Sequence, residues 1–130
     1  MNMVYEREAY GDMETVGKRL EDAVKARKFG VISVLDLQAK MKEKGVDFDN
    51  PCRIYEVCNP LKAKQVLEGD MRISTALPCR ISLYSEGGRV KLATLLPTAT
   101  LGFFGVPGLE QLAQEVEQEI KAMLDAASGA

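Results

Sequence analysis

Two stretches that alternate apolar and polar residues, Cys79–Ser85 and Arg89–Leu95, bracket the tetrapeptide Ser85-Glu86-Gly87-Gly88. Glycine adopts positive φ without steric cost, and a tight turn between antiparallel strands demands that conformation. This hairpin constrains the fold more than any other feature. A lone pair of strands is marginal in water, so the rest of the chain must supply further strands and an apolar cover.

Helical periodicity supplies the cover. Met13, Val16, Leu20, Ala23 and Val24 fall on one helical face, with Asp12 placed to cap the free N–H groups at its start. Leu109, Leu112, Ala113, Val116, Ile120, Met123 and Leu124 trace a second amphipathic helix, and the tail Ala126–Ala130 is expected to fray. Further strands are expected at Met1–Tyr10, Val31–Leu37 and Cys52–Cys58. A short amphipathic segment around Leu37 and Met41 ends at Gly45, and Asn59-Pro60 starts a helix that ends near Gly69, with Asn as N-cap and Pro at the first helical position. Pro97–Gly108 reads as a Pro/Gly/Phe-rich connection.

That order predicts an α+β fold of β-α-β-β-β-β-α type with extra short helices. Its sheet is mostly antiparallel and carries helices on one face, leaving the other to water, a ligand or a partner. With 130 residues, 46% of them hydrophobic, residues 1–130 form a single domain able to bury a core without disulfides or metal.

Composition removes several function classes. The chain has no histidine, which excludes Ser-His-Asp and Cys-His nucleophiles, His-ligated zinc and an imidazole pH switch. Seventeen Lys+Arg against nineteen Asp+Glu give a net charge of -2, so there is no bulk attraction for nucleic acid or an anionic membrane. No apolar run reaches the roughly 18 residues that span a bilayer. Three widely spaced cysteines without a signal-peptide pattern point to reduced thiols and a cytoplasmic location. No Gly-rich stretch matches a phosphate loop, and no cofactor is expected.

Cys58 precedes the Asn59-Pro60 helix start, where the partial positive charge of a helix N-terminus lowers a thiol pKa. Cys79 opens the strand that follows that helix. If the two strands are antiparallel neighbours, the two thiols come close, able to pack, to form a reversible disulfide or to ligate a soft metal. Cys52 lies at the far end of its strand, roughly 20 Å away at 3.3 Å per residue. Arg80 beside Cys79 can clamp an anion, and Asp36 is either a helix cap or a group in a pocket. Arg53, Tyr55, Arg80, Tyr84, Arg89 and Lys91 are expected to share the open sheet face, opposite Ile54, Ile81, Leu83, Val90 and Leu92. Such a face suits an anionic ligand or weak nucleic-acid binding, or is simply solvated.

Three stretches in this order, Phe29-Gly30-Val31 leading to Asp36, then Cys58-Asn59-Pro60, then Leu77-Pro78-Cys79-Arg80 with the Glu-Gly-Gly hairpin, resemble the domain-of-unknown-function 302 family. The resemblance implies a fold similar to that of the TATA-box-binding protein, with a curved sheet, and a homodimer. The apolar Phe103-Phe104 connection, between glycines, would pack under the last helix, lid a pocket or grip a partner protomer. It implies no activity.

The combined expectation is a cytosolic homodimer that binds a small anionic or thiol-reactive ligand, or a partner, without catalysis. Its candidate site is formed by Cys58, Asn59, Cys79, Arg80 and Asp36. A thiol-redox or soft-metal protein using Cys58 and Cys79 is the alternative. Nucleic-acid binding on the sheet is a third reading, disfavoured by the acidic balance.

Overall fold

The hairpin forms as its turn chemistry requires. In the computed structural model, which describes residues 2–130, Gly87 and Gly88 take φ of 59° and 77° between β4 (Cys79–Glu86) and β5 (Arg89–Leu95). The other strands are β1 (Val4–Ala9), β2 (Gly30–Asp36) and β3 (Cys52–Cys58). The strand expected from Met1 thus starts at Val4, with Met1 itself outside the described residues. All neighbours pair antiparallel in one sheet of order β1-β5-β4-β3-β2.

Helices α1 (Met13–Ala26) and α5 (Glu110–Ser128) cover one face of that sheet. Asp12 caps α1 by accepting the Thr15 N–H at 2.8 Å. The periodic apolar residues do what their spacing predicts: Val16, Leu20 and Val24 meet Ile120, Met123 and Leu124 over Val57, Ile81, Leu83 and Leu92, all fully buried. Each large side chain so buried contributes about 1.5–3 kcal/mol relative to exposure.

The expected fraying of the tail is corrected. Ala127 and Ser128 are completely buried, and the Ser128 carbonyl accepts the Tyr10 N–H at 2.9 Å while the Ala127 carbonyl accepts from Arg19 Nε at 3.0 Å. A backbone bond from Tyr10 and a side-chain bond from Arg19 hold the last turn where exposed Ala-Ser-Gly would otherwise open.

A second cluster lies at one end of the sheet. There α3 (Pro60–Gly69), a 3-10 helix (Met71–Ala76) and α4 (Pro97–Gly102) bring Val66, Ile73 and Leu101 against Ala113 of α5. Part of the expected Pro97–Gly108 connection is therefore helical, started by Pro97 at its first turn. Phe104 packs on this cluster, whereas Phe103 is 85% exposed. α2 (Leu37–Glu43) buries no residue and is capped by Asp36, which accepts the Ala39 N–H.

The alternation expected for β3 is inverted. Tyr55 pairs with Ile81 and Ile54 with Ser82, so Arg53, Tyr55 and Val57 face the helices while Ile54 lies on the open face. A one-residue shift of parity moves every side chain of a strand to the other face, and the buried Val57 fixes which parity holds. The open face accordingly carries a shallow concavity in which Val4, Leu35, Ile54, Ala93 and Leu95 surround Glu56, Arg80 and Ser82. Among the described residues no helix is long and apolar enough to cross a membrane.

Candidate functional site

β3 ends at Cys58 because Asn59-Pro60 starts α3. The Asn59 side chain accepts the N–H groups of Leu61 and Lys62 at 3.1 and 3.2 Å, the satisfied N-cap that this dipeptide predicts. Cys79 begins β4 opposite Val57, one residue before Cys58. The two cysteines therefore sit on diagonal positions of adjacent strands, and both line one cavity of about 40 Å3.

The rest of that cavity is apolar: Phe29 lies beneath, Leu77 and Pro78 come from the segment before β4, and Leu101 and Val116 close it from α4 and α5. Lys62 stands at its rim, its Nζ held by Glu115 at 3.3 Å. These lining residues come from five separated segments. In the sequence, Phe29, Asn59 and the Leu77-Pro78 pair already stand in the three stretches that carry the family resemblance.

The electrostatics reverse one expectation. Burial pushes the Cys58 thiol up, and it pushes Cys79 up from 9.0 to about 11, with the neighbouring Cys58 sulfur as the second cause. The helix N-terminus does not produce a low-pKa thiolate, since its free N–H groups are already taken by Asn59 and the sulfurs are desolvated. Neutral thiols are soft, weakly polar packing groups, able to contact an apolar or polarisable molecule. Among the described residues no group of three or more His, Cys, Asp or Glu is placed to hold a metal ion, so the two thiols are the only soft donors of this cavity.

Neither Arg80 nor Asp36 lines the cavity that the two thiols share. Successive strand residues point to opposite faces, so Arg80 leaves Cys79 for the open face, where its Nε donates to Glu56 at 3.2 Å. Asp36 ends β2 at the edge opposite to Gly30, the residue that pairs with Cys58, and its register partner is Arg53. Cys52 is likewise apart, its sulfur 3.9 Å from Ser82 Oγ.

The open face retains Arg80, Tyr84, Arg89 and Lys91 of the expected basic set, but each has an acidic partner. Arg89 meets Glu8 at 3.1 Å, Lys91 meets Glu86 at 3.4 Å and Glu6 at 3.6 Å, and the Tyr84 hydroxyl donates to Glu6. Glu56 is held below the usual carboxylate range by Ser33 and then Arg80. A surface so neutralised has little left for phosphates.

An open five-stranded antiparallel sheet with helices on one face and a thiol-lined cavity at one end defines the class, an α+β domain. The family described as "Domain of unknown function DUF302" matches residues 5–127, and the chain belongs to that family. Its structure is similar to the crystal structure of an uncharacterized conserved DUF302 protein from Bacillus stearothermophilus. The two are 33% identical, with a TM-score of 0.93 over 98% of this chain and 99% of that one. No curated protein matches the chain.

Proposed function

We propose that this chain is a non-enzymatic binding protein of the reducing cytosol, assembled as a homodimer, whose small ligand contacts Cys58 and Cys79. The observation that carries this reading is the convergence of two protonated thiols on one apolar cavity. Thiols held neutral by burial are poor nucleophiles, which favours binding over covalent chemistry. Unpaired Cys52, Cys58 and Cys79 fit a reducing compartment. The exposed apolar side chains of the open sheet face, Val4, Leu35 and Leu95, support the homodimer.

The test is native mass spectrometry on protein purified anaerobically without chelator. A dimer carrying an extra mass is expected, and Ala63→Leu at the cavity wall should abolish that mass. Bare protein in every charge state would overturn the ligand reading. The convergence of the two cysteines on one cavity favours one second reading, a dithiol that cycles with a disulfide. A loss of two hydrogens per chain, absent from Cys58→Ser, would establish it in place of the first.

A further inference from the structure

A further concavity, an open groove of about 640 Å3, lies on the helix side of the sheet at the β2–β3 edge, away from the thiols. Its floor is Tyr55, only 3% exposed, whose hydroxyl reaches open space in this groove. The Arg53 guanidinium, two residues away on the same face of β3, is the polar neighbour of that hydroxyl. Among the described residues no buried side-chain N or O atom lacks a hydrogen-bond partner, so this hydroxyl is a polar group open to the groove and not a buried orphan.

Gly17 sharpens the point. It sits inside α1, where glycine costs about 1 kcal/mol relative to alanine, and a Cβ there would lie 2.6 Å from the Tyr55 oxygen. A phenylalanine at 55 with an alanine at 17 would fill the same space without that cost. The chain instead keeps a hydroxyl at the groove floor.

The walls carry both signs of charge. Glu14, Lys18 and Glu21 share the face of α1 that includes Gly17, and Arg53 pairs across β2–β3 with Asp36. Arg53 spends one N–H on Glu14, a partner 79% exposed, so the pair exchanges readily with water or another oxyanion. One oxygen of Asp36 caps α2, which leaves the other for the groove.

We infer that this groove binds a small zwitterion, with its carboxylate or phosphate group on Arg53 and the Tyr55 hydroxyl and its ammonium group on Glu21 and Asp36. A pure anion would meet three carboxylates and a pure cation would meet Arg53 and Lys18, whereas a molecule carrying both charges satisfies each wall. The site is independent of the thiol cavity and of the reading proposed for it.

The experiment is a titration of the isotope-labelled full chain with β-alanine and with phosphoethanolamine, followed by amide NMR shifts. Inorganic phosphate and ethanolamine serve as the half-ligands. Saturable shifts at Gly17, Asp36, Arg53 and Tyr55 are expected, with each half-ligand binding at least about tenfold more weakly. Tyr55→Phe and Arg53→Gln should each weaken binding about tenfold while preserving the dispersed spectrum. Saturation by β-alanine alone assigns the carboxylate source, and saturation by phosphoethanolamine alone assigns the phosphate. The inference is overturned if neither zwitterion shifts these amides at roughly 10 mM. It is equally overturned if the half-ligands bind as well as the zwitterions, or if the shifts centre on Cys58 and Cys79.

Discussion

Single residues in this protein act mainly through space and solvation. Because a Cβ at Gly17 would meet the Tyr55 oxygen at 2.6 Å, Gly17→Ala should destabilise the chain by about 1–3 kcal/mol. In a Tyr55→Phe background the oxygen is gone and the same change should stabilise by about 0.5–1 kcal/mol through helix propensity. A double-mutant cycle in urea reads the sign reversal. Cys79 gives a pH dependence. Its folded pKa is raised, from 9.0 to about 11, so the unfolded chain loses the proton first and stability falls as pH rises across that interval. The loss is roughly 2–3 kcal/mol. Unfolding curves at pH 8 and pH 11 should diverge less for Cys79→Ala than for the parent. At this scale the sequence was legible where a residue has one strong preference, as Asn59 and Asp12 do for caps. Tyr55 has two, an apolar ring and a polar tip, and the ring decided its face. Arg80 was readable in principle, because alternation along β4 sends it away from Cys79.

Elements owe their bounds to punctuation in the sequence. Strand Cys52–Cys58 and helix Pro60–Gly69 end where a cysteine-asparagine-proline junction and a glycine demand it, and the hairpin turns at paired glycines. With φ positive at both positions, Gly87→Ala or Gly88→Ala should each cost about 1–2 kcal/mol, measured as a shift of the thermal midpoint. The 3-10 helix Met71–Ala76 and the helix Pro97–Gly102 were not legible, since six residues are too few to display a period. They exist because Ile73 and Leu101 fill the second cluster, a tertiary cause. The same holds for the last turn of α5. Deleting residues 127–130 removes two fully buried residues and the acceptor for Tyr10, and should lower stability by about 3 kcal/mol in thermal denaturation. The thiol cavity shares this character: its two cysteines were suggested by strand adjacency, but its walls come from α3, α4 and α5.

For the whole molecule, the sheet divides the surface into a covered side and an open one. The proposed homodimer uses the open side, so Leu95→Arg, a change at a residue 56% exposed, should yield a monomer in sedimentation with unchanged circular dichroism. A dimer that persists would move the contact elsewhere, for instance to Phe103. The arrangement of strands also sets a timetable. β1 is made first, yet its one neighbour in the sheet is β5, and the carbonyl that accepts from Tyr10 belongs to residue 128. A ribosome adding about 5–20 residues per second leaves β1 without its pairing strand for roughly 4–16 s. Throughout that interval the nascent β1 presents an unpaired strand edge, the kind of surface at which chains aggregate, and only the synthesis of β5 closes it.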